Sequence, residues 1–308
     1  MAGPRLLILS AYRTERGFRE FQAARVLLAA LDARGVRWRL GKSDDAGAAE
    51  ELAGHDAVLC WTFRHTWGNH LFHAARLEER CAELGIPVVN PVATFTYRHS
   101  ADLERWSAAG VPCPRHQRFT RLAEVALGYP LVLRRDGEHR GRRMVRVERQ
   151  ADAPRLLDEA NREDPGRPLD LALELVDTRW PDGFYRKRRA YVVGGEVIPA
   201  HAVRSEHWIV NFGHRRGDLA SWREDRAFLA AGEPRAGEIR TAVAVLGADV
   251  AAVDYSPAPD GRLVFWEANR NPRMWGDRNL PARPRAPDHR FGEALAELVL
   301  RRVAEAGR

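Results

Sequence analysis

The chain has 308 residues, 45% hydrophobic and 30% charged, and carries a net charge of +7. That length allows two or three lobes and a sizeable core, and the balance is that of a soluble globular protein. No apolar run approaches the roughly 20 residues a bilayer-crossing helix needs. Three scattered cysteines, Cys60, Cys81 and Cys113, form no CxxC pair, which argues against a disulfide framework and for a reducing, cytoplasmic setting. Of the 49 basic residues only Lys42 and Lys187 are lysine, so 47 are arginine, a skew that reads first as codon bias. The positive balance suits a polyanionic substrate or an acidic peptide. Acidic residues are interspersed nearly everywhere and no recognition motif for nucleic acid occurs, so neither nucleic acid nor membrane is expected as a partner.

The first 92 residues alternate between strand and helix. Arg5 to Ser10 reads as an apolar strand, and as structure rather than a secretion signal. Arg19 to Arg34 carries helix-spaced apolar residues and stops at Gly35. Strands are expected at Val36 to Leu40, Ala57 to Trp61 and Ile86 to Val89, with a helix from Leu71 to Leu84. This alternation predicts a mainly parallel sheet with helices on its faces. Residues 93–168 form a second unit: a helix from Asp102 to Ala109, a strand Leu131-Val132-Leu133 running into the charged loop Arg134 to Arg143, a strand Met144 to Val147, and a helix Pro154 to Asn161. In residues 169–308 strands dominate. A hairpin turns at Gly194-Gly195, a helix spans Glu233 to Leu246, and Val250 to Tyr255 pairs with Arg262 to Ala268. Phe291 to Ala304 is a closing amphipathic helix.

The chemistry concentrates in the last hairpin. Asp260-Gly261 is a strong two-residue turn. With that turn Pro259 pairs with Arg262, and Asp254 faces Glu267 across the two strands. Facing residues share one side of a sheet, and Asn269, two positions on, points the same way. Two carboxylates that close repel unless something positive lies between them, and hard oxygen donors in that number suit magnesium. The bland alternative is a solvated face, or carboxylates paired with local arginines such as Arg270 and Arg273. A one-residue slip of register would undo the arrangement.

At this point the sequence resembles a family, the ATP-grasp carboxylate–amine ligases, in the branch of the RimK, glutathione synthetase and D-alanine–D-alanine ligase proteins. The likeness rests on the order of Ala108-Ala109-Gly110-Val111-Pro112, Tyr129 to Arg134, Glu174 to Asp177, Arg189 to Gly195, Trp208 to Asn211, Asp254 and Glu267-Ala268-Asn269. It implies an N-terminal parallel α/β domain (pre-ATP-grasp) followed by a two-lobed α+β ATP-grasp domain. It also implies ATP and Mg2+ as cofactors, and carries roles over by position. Arg134 stands where a phosphate-binding lysine ends a strand, and a guanidinium fork can hold the same oxygens. His99 or Arg98 falls near the other basic residue. Glu174, Leu175 and Val176 match the hinge that meets adenine, with Asp177 placed for the ribose. Arg189 and Arg204 match cations on the γ-phosphate and substrate carboxylate, and Asn211 a further asparagine near the phosphates. Asp254, Glu267 and Asn269 match the magnesium ligands.

The implied activity is ADP-forming amide or peptide bond formation between small-molecule or peptide carboxylates and amines, and the family tends toward homodimers. The loop from Arg134 to Arg143 departs from the pattern, with arginines where small residues are usual. A small-molecule kinase on the same fold, or a non-catalytic nucleotide- or peptide-binding relative, are therefore the alternatives. His65, His70 and His73, with Trp61 and Trp67, follow the third strand. Their spacing does not fit a helical zinc site, and a substrate-facing role is the better expectation. Arg186 to Arg189 reads as a charged face, and no arrangement for a covalent nucleophile occurs.

Overall fold

The computed structural model describes residues 3–10, 22–42, 52–61, 68–95, 98–138, 141, 143–272 and 286–307. In chain order these form β1 (Arg5–Ser10), α1 (Gln22–Ala33), β2 (Arg37–Lys42), β3 (Ala57–Trp61), α2 (Gly68–Leu84), β4 (Val88–Val89), α3 (His99–Ala108), β5 (His116–Arg118), β6 (Leu131–Arg134), β7 (Met144–Val147), α4 (Ala153–Glu163) and β8 (Leu171–Glu174). There follow β9 (Tyr185–Val193), β10 (Glu196–Ser205), α5 (Leu219–Ala231), α6 (Ala236–Val245), β11 (Val250–Pro257), β12 (Leu263–Asn269) and α7 (Ala286–Ala306).

Three four-stranded sheets organise these elements, with strand orders β2-β1-β3-β4, β5-β8-β6-β7 and β10-β9-β11-β12. The first is parallel and the other two antiparallel. In β1, Leu6 and Ile8 face one core while Leu7 and Leu9 face another, so the parallel sheet is buried on both sides, as its near-continuous apolar strands require. Helix α7 closes the first of these cores, with Phe291, Leu295 and Val299 packed between α1 and the Tyr191, Val193 and Ala252 face of the third sheet. It crosses α1 closely because residue 292 is glycine: a Cβ there would lie 2.6 Å from the Val26 carbonyl oxygen.

The opposite face of the third sheet packs Val192, Val253, Tyr255 and Phe265 against Leu103 and Trp106 of α3 and against Ile239 and Val243 of α6. Val132, Leu171 and Leu173 of the middle sheet join this core, so α3 touches both antiparallel sheets. Strand β8 lies in the middle sheet, beside β6, although it follows the expected division at residue 168. Among the strands and α-helices, β5, β8 and the 13-residue α5 were not anticipated from the sequence. The last hairpin also turns differently. The Ala258 N–H donates to the Arg262 carbonyl at 2.8 Å, so three residues form the loop, Pro259-Asp260-Gly261, with Gly261 at φ +84°. The two-residue turn expected at Asp260-Gly261 is not formed.

Candidate functional site

The shortened strand pairing is compensated inside the hairpin. Pro257 faces Leu263 and Tyr255 faces Phe265, but a bulge at Trp266 resets the pairing so that Asp254 faces Glu267 and Ala252 faces Asn269. Asp254, Glu267 and Asn269 therefore lie on one face, at the end of the surface that α7 leaves uncovered. Strand β9 pairs on the other side of β11 and sets Arg189 opposite Asp254. Lys187, two residues earlier, shares that face.

Asp254 is 4% exposed and holds two cations. The Arg189 fork donates from Nη2 to Oδ2 at 2.9 Å and from Nε to Oδ1, and Lys187 Nζ donates to Oδ2 at 3.0 Å. Burial alone would raise the carboxyl pKa, but Arg189 and then Lys187 outweigh it and bring the value down to about 2, with Glu267 working the other way. Burial likewise opposes the Arg189 charge, and Asp254 more than offsets it, so this guanidinium stays protonated. The donor set, two carboxylates and an amide oxygen on one face, fits a magnesium ion by its chemistry. The pairing of a carboxylate with a nearby arginine that the sequence also allowed is thus present at Asp254, through Arg189; Arg270 is engaged elsewhere and Arg273 lies outside the described residues.

The strand end carrying Asn269 is fixed from behind. Arg270 makes a bidentate pair with Asp102 of α3, at 2.5 and 2.8 Å, and both side chains are fully buried. Asn90, at φ +56°, donates through Nδ2 to the carbonyls of Val250 and Arg270 and accepts from the Val250 N–H. A short polar side chain that tolerates the left-handed region makes this three-way junction possible.

Arg134 ends β6 as expected and is 8% exposed; its Nη2 donates to the carbonyl of Glu138 in its own loop. The next loop residues are anchored as well. Asp136 accepts from the Ser100 N–H at 3.0 Å and from the Ser100 hydroxyl at 2.7 Å, which places a carboxylate on the first turn of α3. Glu138 pairs with Arg167 at 3.1 Å. A Cβ at Gly141 would fall 2.5 Å from Ile209 and 3.4 Å from Asn211 Nδ2, so the loop reaches the segment after β10. The loop that starts at Arg134 thus reaches Asn211 through Gly141. His99 is buried in the first turn of α3, one residue from Ser100, while Arg98 is exposed.

The hinge residues follow β8. Glu174 accepts from the Arg115 Nε at 3.1 Å, Leu175 N–H reaches the Pro130 carbonyl at 3.4 Å, and Val176 is half-buried. Asp177 is exposed, and its carboxylate closes a turn by accepting from the Arg179 N–H at 2.9 Å. Arg204 is not brought to the Asp254 face. A bulge between Pro199 and His201 makes His201 the partner of Arg189 and Arg204 the partner of Arg186, which turns Arg204 to the opposite side of the sheet. There it stacks 3.5 Å from the Phe184 ring centroid and lies 3.5 Å from Asp182. The run expected as a solvated face is paired throughout: Arg186 with Asp182 and Glu224, Lys187 and Arg189 with Asp254, and Arg188 with Glu233. Trp61 is core, 1% exposed, rather than substrate-facing. His65, Trp67 and the side chains of His70 and His73 lie outside the described residues. Lys187, Ser100 and Asp136 were not singled out from the sequence. The scarcity of lysine was the one signal that could have found Lys187.

No family model matches the chain. Curated sequences yield no relative of it. Solved structures do match. D-alanine–D-alanine ligase from Bacillus anthracis, complexed with ATP, aligns over 98% of this chain and 99% of its own, with a TM-score of 0.59 and 14% identity. The VanG D-Ala:D-Ser ligase from Enterococcus faecalis aligns over 96% and 98%, with a TM-score of 0.56 and 14% identity. N5-carboxyaminoimidazole ribonucleotide synthetase from Thermotoga maritima aligns over 86% of this chain and 68% of its own, with a TM-score of 0.54 and 11% identity. By its structure, a parallel α/β sheet followed by two antiparallel sheets along nearly the whole chain, this protein shares the fold of these ligase structures.

Proposed function

We propose that the protein is an ATP- and magnesium-dependent ligase that joins a carboxylate to an amine with release of ADP and phosphate. The observation that carries this reading is the single sheet face bearing Asp254, Glu267 and Asn269 beside Arg189 and Lys187. It is supported by the fold and by the loop that starts at Arg134 reaching Asn211 through Gly141.

In this reading a carboxylate oxygen attacks the γ-phosphorus of ATP, the bond to the β-phosphate oxygen breaks, and ADP leaves. The amine nitrogen then attacks the acyl carbon, phosphate departs with the bonding electrons of its C–O bond, and the nitrogen gives up its proton as the amide forms. Such transfer needs positioning and charge neutralisation rather than covalent help from the protein. Arg189 and Arg134 would supply positive charge to the phosphates. The backbone from Glu174 to Val176 lines the adenine, and Asp177 serves the ribose. A magnesium ion held by Asp254, Glu267 and Asn269 would supply charge neutralisation on the phosphate oxygens. Arg204 is assigned no role in the transfer, because it lies on the other sheet face. The three described cysteines are free thiols, two of them buried, and this supports a reducing compartment such as the cytoplasm.

The test is an ADP-release screen in which amino acids and short peptides are offered as donors and acceptors together. Glu267→Gln keeps the shape of the side chain and removes its charge. It is expected to lower ADP release by at least about a hundredfold, with an unchanged circular dichroism spectrum. Turnover at the native rate in that variant overturns the assignment. ADP release without any amine requirement would make the protein a kinase, and tight ATP binding without ADP release would make it a nucleotide-binding relative.

A further inference from the structure

In a chain that uses arginine at 47 of 49 basic positions, a lysine in the site is chemically informative. Lys42 ends the edge strand β2. Lys187 instead lies on the Asp254 face, with its side chain 17% exposed and its Nζ 3.0 Å from Asp254 Oδ2. Asp254 already receives the Arg189 fork, so Lys187 is a second cation on a carboxylate that one cation neutralises. Together, Lys187 and Arg189 offset the charge of Asp254, and Arg189 also feels that of Glu267.

That balance decides what can enter. A divalent ion arriving alone must displace an ammonium from Oδ2 and leaves the face with surplus positive charge. The same ion arriving with a nucleotide brings net negative charge, which gives the displaced ammonium a phosphate oxygen to go to. Lysine suits such an exchange: its charge is a point on a flexible four-carbon stem, whereas an arginine fork is held by two oxygens at once. We propose that Lys187 guards the metal position, taking the place of the divalent ion on Asp254 in the nucleotide-free protein and moving to the phosphates when metal and nucleotide enter. Metal and nucleotide then bind as a coupled pair, each raising the affinity of the other by the same factor. This inference rests on reading the face as a magnesium–nucleotide site.

The test is a Mn2+ titration of the full chain followed by electron paramagnetic resonance, with and without the β,γ-imido analogue of ATP. In the native protein the analogue is expected to raise Mn2+ affinity about tenfold or more. In Lys187→Met the nucleotide-free affinity should rise, and the coupling should fall to about threefold or less. Lys187→Gln, run alongside, serves if the methionine variant does not fold. Lys187→Arg keeps the charge and should keep nucleotide-free metal binding weak. Coupling that is equal in the native protein and the neutral variants overturns the proposal, as does tight nucleotide-free Mn2+ binding in the native protein or no Mn2+ binding in any of them. The two readings fail separately. Normal ADP release with unaltered coupling in Lys187→Met would sink the role of Lys187 alone. Lys187-dependent coupling without ADP release under any substrate pair would sink the ligase alone.

Discussion

The two ends of the proposed nucleotide site are built by different means. The metal end is embedded: Asp254, Glu267 and Asn269 sit on paired strands, backed by the buried Asp102–Arg270 pair and by Asn90 bridging three segments. The phosphate end is a loop, held by contacts from its own residues to their surroundings: Arg134 to Glu138, Asp136 to Ser100, Glu138 to Arg167. A strand-borne site inherits the precision of the sheet, whereas a loop-borne one is only as precise as its few anchors. Substitutions at the metal end should therefore cost stability first, and those at the loop should cost nucleotide affinity first.

The largest effect is expected from Asp102→Ala. It leaves the Arg270 guanidinium buried without its bidentate partner, and breaking such a pair from one side costs about 3–5 kcal/mol. Chemical denaturation should show this loss. Replacing both residues by apolar ones of similar volume should recover much of it, because the penalty lies in the unpaired charge. A loss under about 1 kcal/mol in the single variant would mean that the metal end is not braced from α3.

The loop is expected to answer in the opposite currency. Arg134→Ala should raise the KM for ATP by about ten- to a hundredfold, since it removes the proposed charge-assisted phosphate contact, while lowering stability by only about 1 kcal/mol. Asp136→Ala takes away the acceptor of both Ser100 donors and should cost about 1 kcal/mol, with a smaller rise in KM than Arg134→Ala gives. Steady-state kinetics at varied ATP, read beside thermal unfolding, check both. A change in kcat alone would place these residues in the chemistry rather than in nucleotide binding.

How far the sequence revealed this contrast depended on where the backbone is regular. The parallel sheet was legible because strands β1 and β3 are apolar on both faces. Helix α5 was not, because only Phe228 of it is buried while Leu219 and Trp222 are 58% and 57% exposed, so no apolar stripe marks it. Bulges governed the site. In the last hairpin a turn one residue longer than expected and a bulge at Trp266 cancel, so Asp254 faces Glu267 although the turn was misread. In the β9–β10 hairpin nothing cancels the bulge at Ala200. Counting from the Gly194-Gly195 turn without it would set Arg204 on the Arg189 face; with it, Arg204 faces away. Bulges leave little trace in residue type, and a single extra residue reverses every later side chain. The anchors Asp136 and Ser100 were hidden for another reason: their contact spans 36 positions and belongs to no local pattern.

A separate test isolates the electrostatics of the metal end. The Asp254 carboxyl is held down to about 2, burial being outweighed by Arg189 and Lys187. Its folded value lies below its ordinary 3.8, so the ionised group stabilises the fold at every pH above about 4. That contribution is lost as pH falls from about 4 toward 2, where the folded-state carboxyl finally takes up its proton. Asp254→Asn cannot titrate. It should be less stable than the native chain at neutral pH, because Arg189 and Lys187 lose their counter-charge, and its stability should fall less steeply across the acid window. Denaturation midpoints measured between pH 2 and 5 compare the two slopes. Equal slopes would show that the cations on β9 do not hold Asp254 ionised, and the embedded character of the metal end would then rest on the Asp102–Arg270 pair and Asn90 alone.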